Sequence, residues 1–197
     1  PGARIIVRGG KLTLEDTRVF GCDEMWESII VEDGAELEMT GCRVADGEYA
    51  VLARDGSTLD LRNNRFRDNY VGLYTAAEGE NAVTFSALHG NTFEGAAGLK
   101  TPRAGEPGYV GVWLNNTANA VVGDETGLPN TFRDLTNGLL AHNSNVYLTN
   151  GRFTGIQPPA GPPAAGLPAG RAVAISADPS VFRQTILDGG LDQNLFF

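Results

Sequence analysis

One four-residue phrase recurs along this chain and narrows what it can fold into more than any other feature. It reads Asn64-Arg65-Phe66-Arg67, Asn91-Thr92-Phe93-Glu94 and Asn130-Thr131-Phe132-Arg133, and weakens to Gly151-Arg152-Phe153-Thr154. Apolar triplets keep the same beat: Ile5-Ile6-Val7, Ile29-Ile30-Val31, Val51-Leu52-Ala53, Leu73-Tyr74-Thr75, Val112-Trp113-Leu114, Leu139-Leu140-Ala141 and Val173-Ala174-Ile175, with clean steps of 22 residues from Ile29 to Val51 and on to Leu73. After most triplets comes a second alternation, at Leu12 and Leu14, Leu37 and Met39, Leu59 and Leu61, Val83 and Phe85, Val146 and Leu148. Val19, Val44, Phe66, Phe93, Phe132 and Phe153 then supply a third inward position. No segment sustains a helical period.

Three short strands per repeat, at a period in the low twenties, predict an all-β parallel β-helix of about seven coils. A single coil has no partner for its strand backbone or its apolar face, and stacking at about 4.8 Å per coil provides both. Leucine-rich repeats share the period but need a leucine run and an alternating helix that this chain lacks. The recurring phrase is therefore read as architecture. Asn64, Asn91 and Asn130 fall at one corner, where stacked amides can bond along a column, while Phe66, Phe93, Phe132 and Phe153 form an inward ladder. The chain, 1–197, reads as one domain with insertions at 96–109 and 157–170 and as a segment of a longer protein.

Composition excludes some partners. A hydrophobic fraction of 42% is ordinary for a globular protein, and 24 acidic against 15 basic residues leave a net charge of -9. That balance argues against broad attraction to nucleic acid or to an anionic membrane surface, and no apolar run approaches the roughly 20 residues of a membrane span.

The stretch "GARIIVRGGKLTLEDTRVFGCDEMWESIIVEDGAELEMTGCRVADGEYAVLARDGSTLDLRNNRF" resembles the right-handed parallel β-helix of the pectate-lyase-like superfamily. More narrowly, with Cys22, Met25 and Trp26 ahead of an apolar triplet, it is similar to β-helical regions of large secreted surface proteins of Bacteroidota. The resemblance implies an extracellular or cell-surface location.

Chemistry is harder to find. Glycoside cleavage in pectinolytic hydrolases of this fold uses clustered aspartates beside a Gly-His-Gly and an Arg-x-Lys element, because one carboxyl must act as acid and another must activate water. His89 and His142 match neither element and read as corner or surface residues. Asp55, Asp60 and Asp68 are close in sequence but should point in different directions, so no metal site and no cofactor is expected. Cys22 and Cys42 could form a disulfide in an extracellular chain, but they fall at different corners of neighbouring coils and read rather as buried free thiols. No catalytic residue can be assigned.

Outward positions carry more information. With Ile5, Ile29, Leu73, Val112 and Leu139 inward, Ile6, Ile30, Leu52, Tyr74, Trp113 and Leu140 form an apolar outer stripe. It is expected to be covered by the insertions or by a neighbouring molecule, with sugar stacking on Tyr74 and Trp113 as the alternative. On the second face Thr13, Glu38, Asp60, Thr84 and Tyr147 point outward. A third row, Arg18, Arg43, Arg65, Thr92, Thr131 and Arg152, is basic in an acidic protein and is a candidate site for an anionic glycan unless Asp16, Glu38, Asp60 and Asp68 neutralise it. The leading expectation is a non-catalytic structural or adhesive module, possibly an assembly subunit, whose partners are other domains of the polypeptide or neighbouring copies at its open ends or apolar flank. The alternative is a polysaccharide-binding module or a divergent polysaccharide lyase or hydrolase.

Overall fold

Alternating segments of five or six residues, broken by Gly, Asp and Asn, can neither lengthen into helices nor close into hairpins, and each strand must pair with its equivalent one repeat away. The computed structural model describes residues 2–76, 82–95, 98–117, 119–158, 169–176 and 181–185. Among them there is no helix, and every strand pairing is parallel.

The first sheet has seven strands in chain order, from Arg4–Arg8 and Ser28–Glu32 through Tyr49–Arg54, Val71–Ala76, Val110–Asn115 and Asn137–His142 to Arg171–Ser176, so the solenoid makes about six turns. The second face is split into a four-stranded sheet ending at Thr84–His89 and a three-stranded sheet starting at Ala120–Val122. The third sheet stacks Arg18–Val19, Arg43–Ala45, Arg65–Arg67, Thr92–Glu94, Asn130–Arg133 and Gly151–Thr154.

Two corrections concern the inward columns. Ile5 does stand in register with Ile29, yet it is 38% exposed, because no described strand pairs with the other edge of Arg4–Arg8. On the second face Thr84 is outward but opposite Thr58, not in the Asp60 row. A bulge between Phe85 and Ala87 sets Phe85 against Leu59, Ala87 against Asp60 and Leu88 against Leu61. One extra residue in the strand cancels the simple count by twos.

The corners are shaped by residues with positive φ. Asp16, Gly41, Asn63 and Gly90 lie one above another, linked by backbone hydrogen bonds from Asp16 to Thr40, Gly41 to Arg62 and Asn63 to His89. Asx and glycine alternate there for a steric reason: a Cβ on Gly41 would stand 2.5 Å from Asp16 Oδ1, and one on Gly90 would stand 2.2 Å from Asn63 Oδ1. Each carboxylate or amide occupies the space its glycine leaves.

Inside, Phe66, Phe93, Phe132 and Phe153 stack nearly parallel at centroid separations of 4.8, 5.2 and 4.6 Å. The opposite wall makes room for them. A Cβ on Gly72 would meet Phe93 Cδ1 at 2.6 Å, one on Gly111 would meet Phe132 Cδ1 at 2.6 Å, and one on Gly138 would meet Phe153 Cδ1 at 2.5 Å. Each glycine of the first sheet thus seats the phenylalanine of the same coil's third strand.

Asn64, Asn91 and Asn130 form a buried column on three successive coils. Asn91 Oδ1 accepts from Asn64 N–H at 3.0 Å and from Asn64 Nδ2 at 3.1 Å, and Asn91 Nδ2 donates to Leu61 O at 2.8 Å and to Asn130 Oδ1 at 3.3 Å. The lower end of the column is Cys42, whose N–H donates to Asn64 Oδ1 at 2.9 Å.

Candidate functional site

The outward stripe of the first sheet is in register from Ile6 through Ile30, Leu52, Tyr74 and Trp113 to Leu140. Its coverage is uneven. Ile30 and Leu140 are buried, Leu52, Tyr74 and Trp113 are half-buried, and Ile6 remains 40% exposed. Val71, Tyr109, Val110 and Leu140, with Tyr49, Tyr70, Tyr74 and Trp113 against them, form a second apolar cluster outside the solenoid core.

That cluster is a chain of touching rings. Tyr49 stacks on Tyr74 at 5.6 Å, Tyr74 meets Trp113 at 5.1 Å, Trp113 meets the edge of Tyr109 at 5.9 Å, and Tyr109 stacks on Tyr70 at 5.4 Å. The Arg103 guanidinium closes the chain 3.4 Å above the Tyr70 ring. Burial, with the Tyr70 ring beside it, pushes the Tyr109 phenol up to about 12, so it is uncharged at any ordinary pH. Tyr49, Tyr70 and Tyr109 were not singled out from sequence. The signal was present in two matching phrases, Tyr70-Val71-Gly72-Leu73-Tyr74 and Tyr109-Val110-Gly111-Val112-Trp113.

The described part of the 96–109 insertion is pinned along the corner that precedes this sheet. Lys100 Nζ donates to Gly21 O at 2.7 Å, to Cys22 O at 3.0 Å and to Asp46 at 2.9 Å, while Met25 N–H donates to Thr101 O at 2.9 Å. Arg103 also bonds Glu48 at 2.8 Å. The loop thereby ties coils that are far apart in sequence and delivers Tyr109 to Trp113. Residues 159–168 of the second insertion lie outside the described residues.

Beside Tyr49 and Tyr74 opens a cleft of about 500 Å³, bordered by Leu52 and by the charged side chains of Glu32, Asp33, Arg54 and Asp55. Glu32 is buried and bonded to both Arg8 and Arg54. The Arg8 hydrogen bond, acting against burial and helped by Arg54, holds its carboxyl below the usual range. A carboxylate so held is a poor proton donor near neutral pH.

The third sheet brings Arg18, Arg43 and Arg65 into one outward row. None of the four carboxylates considered from sequence pairs with these three: Glu38 bonds Lys11, Asp60 bonds Arg62 and Asp68 bonds Arg67. The neutralising residue is Glu94, which is buried and hydrogen bonds Arg65 and Arg133. It stands in register between Arg67 and Arg133, the fourth position of the recurring phrase. Burial raises the Glu94 carboxyl, but the hydrogen bonds from Arg133 and Arg65 and their charges outweigh it and hold the group below the usual range. Such a group stabilises the fold above its unfolded pKa, and that contribution is lost as pH falls through the depressed folded value. The stability advantage of the wild type over Glu94→Gln is therefore expected to be full above about pH 4.3 and to shrink on acidification below it. Urea unfolding of both proteins from about pH 3 to pH 7 checks this, and a difference independent of pH contradicts it.

A family model described as a right handed beta helix region matches residues 3–161. The chain belongs to this family. No curated protein and no solved structure shows significant similarity to it. In this right-handed β-helix the remaining sequence candidates are separated by the coil geometry. Among the described residues no group of three or more His, Cys, Asp or Glu side chains could hold a metal ion. His89 ends a strand of the second face half-buried, and His142 ends one of the first sheet exposed. Both cysteines are free, but the expectation that both are buried fails for Cys22, which is exposed because it sits in the corner loop ahead of Met25 and Trp26. Only Cys42 lies inside, as the base of the asparagine column.

Proposed function

We propose that this β-helix is a non-catalytic adhesive module of a secreted or cell-surface protein, comparable to the β-helical regions of Bacteroidota surface proteins, and that it holds polysaccharide along the outer face of its first sheet. The observation that carries the reading is the ring row Tyr49, Tyr74 and Trp113, half-buried and mutually braced, beside an open cleft. Rings fixed by packing lose little freedom when a sugar stacks on them, and the charged rim offers hydroxyl partners. The neutralised Glu32 supports binding over hydrolysis. The exposed Ile5 and Ile6 at the open edge of Arg4–Arg8 suit a neighbouring domain or copy stacked there.

Affinity electrophoresis of the purified chain through a panel of neutral and acidic polysaccharides tests the reading. At least one polymer should retard the wild type, and Trp113→Ala or Tyr74→Ala should weaken that retardation by about tenfold, the loss of one well-placed aromatic contact. Retardation unchanged in both variants contradicts the site. Release of new reducing or unsaturated ends from any polymer contradicts the non-catalytic role.

A further inference from the structure

The outer face of the third sheet carries a second candidate surface, independent of the first-sheet rings. Arg18 and Arg43 are opposite one another on adjacent strands, about 4.8 Å apart along the solenoid axis. Both are exposed, and among the described residues neither has a carboxylate partner, whereas Arg65 and Arg67 are tied to Glu94 and Asp68. In a chain of net charge -9, two neighbouring guanidiniums left without a counter-charge stand out. Their mutual repulsion is relieved by any oxyanion both can reach.

The shape beside them is equally specific. Ala45 occupies the outward position that Arg67 takes one coil further on. The short side chain leaves a notch of about 180 Å³, walled by Arg18, Arg43, Arg65 and Arg67 and flanked by Phe20. Phe20 is 62% exposed, an aromatic face left in water at the notch's edge. A charged row alone would suit any anion. A charged row beside a small apolar recess and an open ring suits an anion carried on a compact ring with an apolar face.

We propose that this notch is a subsite for one acidic sugar of a polysaccharide, with the sugar's carboxylate or sulfate shared by Arg18 and Arg43 and its C–H face against Phe20 and Ala45. Arg65, the next of the row along the axis, is held by Glu94, so the anion falls to Arg18 and Arg43. The carboxylates of an acidic polypeptide would satisfy the arginines but sit on flexible acyclic side chains, with no ring of their own for the recess.

The test uses the full chain and four probes: polygalacturonate for carboxylates, dextran sulfate for sulfate esters, neutral dextran, and polyglutamate. The variants are Arg18→Gln with Arg43→Gln, which removes the charge, and Ala45→Leu, which fills the notch and keeps it. Thermal unfolding of each variant verifies that the fold is retained, and Arg152→Gln, an exposed arginine of the same row at the far end, is the control. Polygalacturonate or dextran sulfate should bind more tightly than polyglutamate, and which of the two prevails identifies the anion. Binding should fall by about tenfold or more in the double arginine variant and in Ala45→Leu, and remain as in the wild type for Arg152→Gln. Neutral dextran separates this subsite from the first-sheet reading, because any retardation by it should be the same in the double arginine variant, in Ala45→Leu and in the wild type. The proposal is overturned if neither acidic polysaccharide binds, if binding survives loss of both arginines, or if Ala45→Leu has no effect. Polyglutamate binding as tight as the polysaccharides overturns it too, and points to an acidic protein partner.

Discussion

Phe132→Ala is expected to destabilise the protein by about 3–5 kcal/mol, the usual loss for a large aromatic side chain in a core. Phe132 is completely buried and lies between two rings, 5.2 Å from Phe93 and 4.6 Å from Phe153. Its removal leaves a void and also takes a stacking partner from each neighbour. The glycine opposite cannot fill the gap, because Gly111 has no side chain to relax into it. Urea unfolding should show a lower midpoint with little change in slope, since the surface exposed on unfolding is nearly the same. A loss below about 1 kcal/mol contradicts a continuous ladder.

Asn91→Leu comes next in size. The replacement is close in volume but cannot hydrogen bond, and Asn91 makes four side-chain bonds inside the corner column. Asn64 N–H and Leu61 O lose their Asn91 partners away from water, and each buried polar group left unmatched costs about 1–3 kcal/mol. The expected loss is about 2–5 kcal/mol, against a net domain stability of about 5–15 kcal/mol. If the recurring phrase were a ligand site, the same substitution would reduce binding and spare stability. Unfolding curves and the polysaccharide panel, measured on one preparation, separate the two outcomes.

Much of this fold was legible because a solenoid repeats its environment at fixed spacing. Val44, Phe66, Phe93, Phe132 and Phe153 share one inward column in the sequence and in the structure. The repeat stops being legible where the spacing is locally broken or where a contact crosses the column. The bulge after Phe85 adds a residue that period counting cannot see. Glu94 is hard to see in the sequence as the partner of Arg65, because it lies one coil up and 29 residues away. The fourth residue of the phrase runs Arg67, Glu94, Arg133, and that alternation of charge was the readable signal.

The candidate site was less legible than the core. Tyr74 and Trp113 stood out as large rings on an outward stripe, but their packing partners Tyr49, Tyr70 and Tyr109 lie at strand starts and in the insertion, outside the triplets that defined the repeat. The positions of Lys100 and Arg103 depend on where a loop returns, and loop paths leave no period in a sequence. The uncompensated charge of Arg18 and Arg43 was visible as a row, whereas the notch beside it needed the in-register placement of Ala45 under Arg67.

The central structural claim is that glycines of the first sheet seat the phenylalanines of the third, coil by coil, and that the recurring phrase therefore encodes architecture. A double-mutant cycle on Gly111 and Phe132 tests it most directly. Gly111→Ala alone should destabilise by about 1–3 kcal/mol, because its methyl group would lie 2.6 Å from Phe132 Cδ1 and 2.9 Å from Gly138 O. In the Phe132→Ala background the methyl faces the vacated space, and the cost should fall by about 1 kcal/mol or more. Strict additivity of the two losses would contradict the pairing.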